Sequence, residues 1–121
     1  MLPILQVALG GAIGAALRYA VAAQFARTLG TAFPYGTLAV NVVGCLLMGL
    51  VYAWIGPKSP WAMFLMTGIL GGFTTFSAFS LEIFHLSQAG QSGLALVYVL
   101  VSVVAGVLAL WLGLMLGGAT G

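Results

Sequence analysis

Four long apolar stretches, separated by short polar turns, constrain this chain more than any other feature of its sequence. They run from about Pro3 to Phe25, Tyr35 to Ile55, Trp61 to Phe84 and Leu94 to Leu116. Each is close to the roughly 20 residues that a helix needs to cross the hydrocarbon core of a bilayer. Only 3% of the 121 residues are charged and 63% are hydrophobic. A soluble domain carries about 25% charged residues, because it must present its surface to water. The expected fold is therefore an all-α membrane protein of four transmembrane helices, with residues 1–121 forming one membrane domain and the lipid bilayer as its solvent.

The separators carry turn chemistry: Arg27 to Thr31, Gly56-Pro57-Lys58-Ser59-Pro60, and Ser87 to Gly93. Tyr35, Trp54, Trp61 and Trp111 fall near the ends of spans, where amphipathic rings favour the headgroup region. Met1 to Gln6 carries no Lys or Arg, so the start does not read as a cleavable signal. A net charge of +2 with no cluster of Lys or Arg gives nothing to neutralise a run of phosphates, which excludes nucleic acid as a partner. Cys45 is the single cysteine and lies in an apolar run, which reads as a small packing residue.

Glycine is placed with a pattern. Gly10 and Gly14, Gly68 and Gly72, and Gly113 and Gly117 each put two glycines on one helical face. Such faces let backbones in lipid approach closely enough for dispersion contacts, either within a subunit or between subunits. Orientation, by contrast, is barely specified. With four spans, Lys58 lies on one side of the membrane and Arg27 on the other, and Arg18 lies inside the first span. Lys and Arg near span ends set orientation. A balance this even predicts insertion both ways up and pairing as antiparallel dimers, the two-chain counterpart of an inverted repeat.

Chemistry concentrates in the third span. Gly71-Gly72 followed by Thr74-Thr75 lowers helix propensity at the depth where the bilayer is driest. That pattern predicts a break at mid-membrane, where freed backbone groups must face protein, an ion or a water-filled cavity. Beyond it, Phe76 and Phe79 form one helical stripe and Ser77 and Ser80 another. The positive edges of phenyl rings, with hydroxyl donors beside them, can meet an anion without any fixed cation; the same Phe stripe also suits lipid or core. Asn41, near the middle of the second span, fits two roles: tying helices together, or donating to a permeating anion. Arg18 is expected to snorkel toward the interface, and Glu82, the only acid, to cap an exposed end, with His85 beside it at the loop. One His and one Glu make no metal site, and no nucleophile, base and orienter can be assembled. An enzyme is not expected.

These motifs resemble the Fluc (CrcB) family of fluoride channels. Gly10-Gly11-Ala12-Ile13-Gly14-Ala15-Ala16-Leu17-Arg18-Tyr19 is similar to the family's Gly-rich opening, and Gly36-Thr37 with Asn41 and Gly44 to its second-span pattern. Gly71 to Ser80 is similar to its third-span signature, with Ala78 where the family often has Thr. The resemblance implies an antiparallel, dual-topology homodimer in the bacterial inner membrane, exporting fluoride down its gradient and so protecting against its toxicity. It assigns Asn41, Phe76, Phe79, Ser77 and Ser80 to the fluoride path, with Tyr98 and Ser102 of the fourth span adding hydroxyls. It also assigns the backbone carbonyls of Gly71 and Thr74, from both subunits, to a central structural Na⁺. Two other classes fit a chain of four short-looped spans less well. A small multidrug-resistance-like, proton-coupled exporter uses an acid in its first span, and here that span has none. A structural subunit without transport needs neither Asn41 nor a broken third span.

Overall fold

A computed structural model gives the fold and describes residues 2–118. Met1 of the N-terminal stretch and residues 119–121 of the C-terminal tail lie outside the described residues. The chain is all-helical, with α1 (Pro3–Leu29), α2 (Tyr35–Ile55), a π-helical segment (Met63–Leu70), α3 (Gly71–Phe73), α4 (Ser77–Gln88) and α5 (Ser92–Leu116). Four helical spans are long and apolar enough to cross a membrane, the third covering Met63–Gln88.

Local chemistry sets the ends. Pro3 opens α1, where its missing N–H costs nothing. Gly30 and Gly56 close α1 and α2 at φ of 79° and 73°, a region that a side chain disfavours. Their N–H groups bond back to the carbonyls of Ala26 and Tyr52, each at 2.9 Å. The first helix runs past the expected Phe25 to Leu29, because Arg27 and Thr28 continue it instead of turning. The Arg27 guanidinium donates to Gln24 Oε1 at 2.8 Å, and Gln24 Nε2 to Thr28 Oγ1 at 3.1 Å, so the last turn carries its own polar bonds.

The helices pack as two close pairs, α1 against the π segment and α3, and α2 against α5. Contacts between α1 and α2 join the pairs, and α4 leans on α5. Both pairings are glycine-mediated. A Cβ on Gly10 or Gly14 would run into backbone atoms of Phe64, Gly68, Ile69 and Phe73. One on Gly113 would run into the Leu46 carbonyl and the backbone of Gly49 and Leu50. All three Gly-x-x-x-Gly faces are thus occupied within the subunit. Outside, large apolar side chains such as Ile4, Leu108, Met115 and Leu116 are exposed, as a lipid-facing surface requires.

Candidate functional site

The third span turns out of helical geometry at Thr74, whose φ of −84° and ψ of 161° are extended, and α4 begins at Ser77. The helical ladder is interrupted between Thr74 and Ser77, and both backbone groups of Thr75 find a side chain instead. The Thr75 N–H donates to Asn41 Oδ1 at 2.8 Å, and Asn41 Nδ2 donates to the Thr75 carbonyl at 3.0 Å. One amide therefore satisfies both sides of one peptide residue. Thr75 Oγ1 in turn accepts from the Ala78 N–H at 3.2 Å, which caps the start of α4. On the other flank, Arg18 Nε donates to the Gly72 carbonyl at 3.2 Å, and both Thr74 N–H and Thr74 Oγ1 donate to the Leu70 carbonyl at 3.1 Å.

These bonds sort the carbonyls of the segment. Those of Leu70, Gly72 and Thr75 are taken, whereas those of Gly71 and Thr74 accept no hydrogen bond among the described residues. They are neutral, hard oxygen ligands, the type that suits a small hard cation. Among the described residues there is no group of three or more His, Cys, Asp or Glu side chains that could hold a metal.

The face of α2 that carries Asn41 is polar one turn earlier and open one turn later. Thr37 Oγ1 donates to Glu82 Oε2 at 2.9 Å, and Tyr98 OH donates to Glu82 Oε1 at 3.1 Å. A Cβ at Gly44 would collide with the Thr74 methyl, so glycine there makes room for the third span. Glu82 is consequently no helix-end cap; its carboxylate joins α2, α4 and α5 through two hydroxyl donors. Nor does Arg18 spend its Nε on the interface, since that donor is bound to Gly72. Thr37 is a functional candidate that the stripe argument passed over. Its signal was a hydroxyl one turn from Asn41 on the same helical face.

The aromatic and hydroxyl residues divide. Phe79 is 8% exposed and its ring centroid lies 5.1 Å from that of Tyr98, which is fully buried. Phe76, with its centroid 5.8 Å from Phe79, is 78% exposed. Ser80 Oγ donates to the Phe76 carbonyl at 3.0 Å, and Ser77 Oγ lies 3.4 Å from Thr75 Oγ1. Ser102 Oγ, one turn after Tyr98 on α5, is buried with no hydrogen-bond partner among the described residues. A cavity of about 580 Å³ opens between the residues after α1 and the end of α4, with Phe33, Thr37, Glu82 and His85 on its wall. Of the two roles open to Asn41, the single chain shows the tying one, and one of its two amide hydrogens remains free of Thr75.

Fold and site together define a small multi-pass membrane protein whose polar groups gather around one non-helical turn of its third span. The chain belongs to the CrcB family: the family model described as CrcB-like protein, Camphor Resistance (CrcB), matches residues 5–114. It is 55% identical over 101 residues to a protein of Cereibacter sphaeroides named fluoride-specific ion channel FluC, covering 83% of this chain and 82% of the relative. Similar relatives bear the same name with or without a number: one in Nitrobacter hamburgensis at 47% identity, covering 93% and 94% of the two chains, and one in Agrobacterium fabrum at 46%, covering 97% of each.

Proposed function

We propose that this chain is one subunit of a fluoride-selective channel that lets the anion leave the cytoplasm down its gradient. The observation that carries the reading is the Thr75 peptide, held on both its N–H and its carbonyl by Asn41 in a chain similar over nearly its whole length to fluoride-specific channels. A helix is interrupted inside lipid only where the freed groups have work or partners. Here the third span is broken at mid-membrane, and the polar residues collect beside the break. The path follows Phe76, Phe79, Ser77, Ser80, Tyr98 and Ser102, with the free amide hydrogen of Asn41 as a further donor. Ser102 Oγ, buried and without a partner among the described residues, suits a hydroxyl that meets the passing ion.

The working unit is an antiparallel homodimer in the bacterial inner membrane. Support comes from the even charge balance and from Phe76, a large ring left exposed beside the break. The carbonyls of Gly71 and Thr74, which accept no hydrogen bond among the described residues, fit a structural Na⁺, because two copies would bring four such oxygens together. Protein purified into liposomes should release fluoride much faster than chloride, without a proton or sodium gradient. A fluoride-electrode trace matching that of empty liposomes would overturn the assignment.

A further inference from the structure

In a continuous helix each carbonyl accepts the N–H four positions further on. By that rule the Gly71 carbonyl would receive the Thr75 N–H, and the Thr74 carbonyl the Ala78 N–H. Neither bond forms. The Thr75 N–H is held by Asn41 Oδ1 at 2.8 Å, and the Ala78 N–H by Thr75 Oγ1 at 3.2 Å. Thr74 also turns its carbonyl off the helical direction, since its ψ is 161° where a helix has about −42°. Two neighbouring carbonyls are filled from elsewhere, Gly72 by Arg18 and Thr75 by Asn41 Nδ2. Those of Gly71 and Thr74 accept no hydrogen bond among the described residues, and Gly71 is exposed on the surface of the subunit. A carbonyl facing lipid without a partner is strongly disfavoured, so its partner must come from outside the subunit.

We propose that Asn41 and Thr75 are positioning residues of the Na⁺ site. Their side-chain oxygens withhold the two amide hydrogens that would otherwise occupy the Gly71 and Thr74 carbonyls, and so leave both oxygens for the cation. The inference rests on the reading of those carbonyls as Na⁺ ligands. A helix cap by itself accounts for the Ala78 bond. It does not account for Asn41, on another helix, taking the one hydrogen whose helical acceptor is Gly71. Both captures meet at Thr75, whose N–H is kept from one oxygen while its hydroxyl keeps a hydrogen from the other. Asn41 thereby serves two sides: its Oδ1 keeps the Gly71 carbonyl free, and its second amide hydrogen points to the proposed path as a donor. Releasing Asn41 from Thr75 returns a hydrogen to Gly71 and weakens the cation site. By linkage, a bound cation in turn holds Asn41 in place.

The test is the Na⁺ dependence of the unfolding midpoint of the purified full-length protein in detergent, with Na⁺ exchanged for N-methyl-D-glucamine at constant ionic strength. A cation bound only by the folded protein raises the midpoint once its concentration passes the dissociation constant, so the onset of the rise reads the affinity. Thr75→Val keeps the shape of the side chain, removes the acceptor and releases the Ala78 N–H to the Thr74 carbonyl. Its onset should lie at a roughly tenfold or higher Na⁺ concentration than in the wild type, because the ion must displace one hydrogen bond in each subunit. Asn41→Leu should do the same through Gly71, and Thr75→Ser, which keeps the hydroxyl, should retain the wild-type onset. Gly10→Ala, which disturbs packing alone, should lower the midpoint at every Na⁺ concentration without moving the onset. If Thr75→Val or Asn41→Leu does not fold, Thr75→Ala decides, since it removes the same acceptor with less bulk. A folded Thr75→Val or Thr75→Ala protein with the wild-type onset overturns the inference and reduces Thr75 to a helix cap. A wild-type midpoint indifferent to Na⁺ overturns the sodium reading and this inference with it, while fluoride release from liposomes reports on the channel reading separately.

Discussion

The two halves of the third span are held by different forces. From Met63 to Phe73 the chain lies against α1 backbone to backbone, with Gly68 and Gly72 facing Gly10 and Gly11. From Thr74 onward it is held by side chains: Asn41 on Thr75, and Thr37 and Tyr98 on Glu82. Dispersion between close backbones is dense and undirected, and it fixes distance. Hydrogen bonds to single groups are sparse and directed, and they fix which atoms remain free. The first half is thus an anchor, and the second holds backbone and hydroxyl groups in a set arrangement inside lipid.

The largest way to break this contrast is to fill the anchor. Gly14→Leu would drive a side chain into the Ile69 carbonyl and the Phe73 N–H, neither of which can move without separating α1 from the third span. We expect a loss of at least about 3 kcal/mol, at the top of the overpacking range, because the obstacle is backbone. The readout is the midpoint of unfolding in detergent. An unchanged midpoint would mean that α1 and the third span are not anchored through this face.

Breaking the clamp should cost less stability and more function. Asn41→Leu leaves the Thr75 N–H and carbonyl without partners. Inside a membrane each such contact is worth about 0.6 kcal/mol on average, because the opened chain finds other partners, so the two together fall below the cost of filling the anchor. Fluoride release from liposomes should fall by far more than the yield of folded protein. If flux and yield fall together, the clamp is only a fastener and the two halves of the span do not differ in kind.

That contrast also decides what could be read from the sequence. Spans follow from length and apolarity, and the helix ends at Gly30 and Gly56 from residues that tolerate positive φ. The Gly-x-x-x-Gly faces announced close packing because their period is local, although only the structure shows that their partners lie within the subunit. The polar contacts were illegible for the opposite reason. Thr37 and Glu82 are 45 positions apart, and Arg18 and Gly72 are 54 apart. A hydrogen bond between single residues on different helices leaves no periodicity behind. Glu82 consequently read as a cap and Arg18 as a snorkelling side chain, when each is bound to a partner from another span.

The smallest effect sharpens the comparison at its edge. Gly11 adjoins the Gly10 and Gly14 face, yet a Cβ built on it meets nothing within 4 Å, whereas one on Gly10 meets the Phe64 carbonyl and Gly68 Cα. Glycine inside a helix costs about 0.5–1 kcal/mol relative to alanine, through the backbone entropy it loses on folding. No described residue opposes the added methyl, so Gly11→Ala should raise the unfolding free energy of the subunit by that amount. Gly10→Ala, one residue away, should lower it. The pair is informative because the two sites share a helix, a depth and a substitution, and differ only in which way the new methyl points. A Gly11→Ala protein that loses stability would show that a second chain, not lipid, lies against this side of α1. The same variant measured at rising detergent-to-protein ratios would then recover the expected gain as the chains separate.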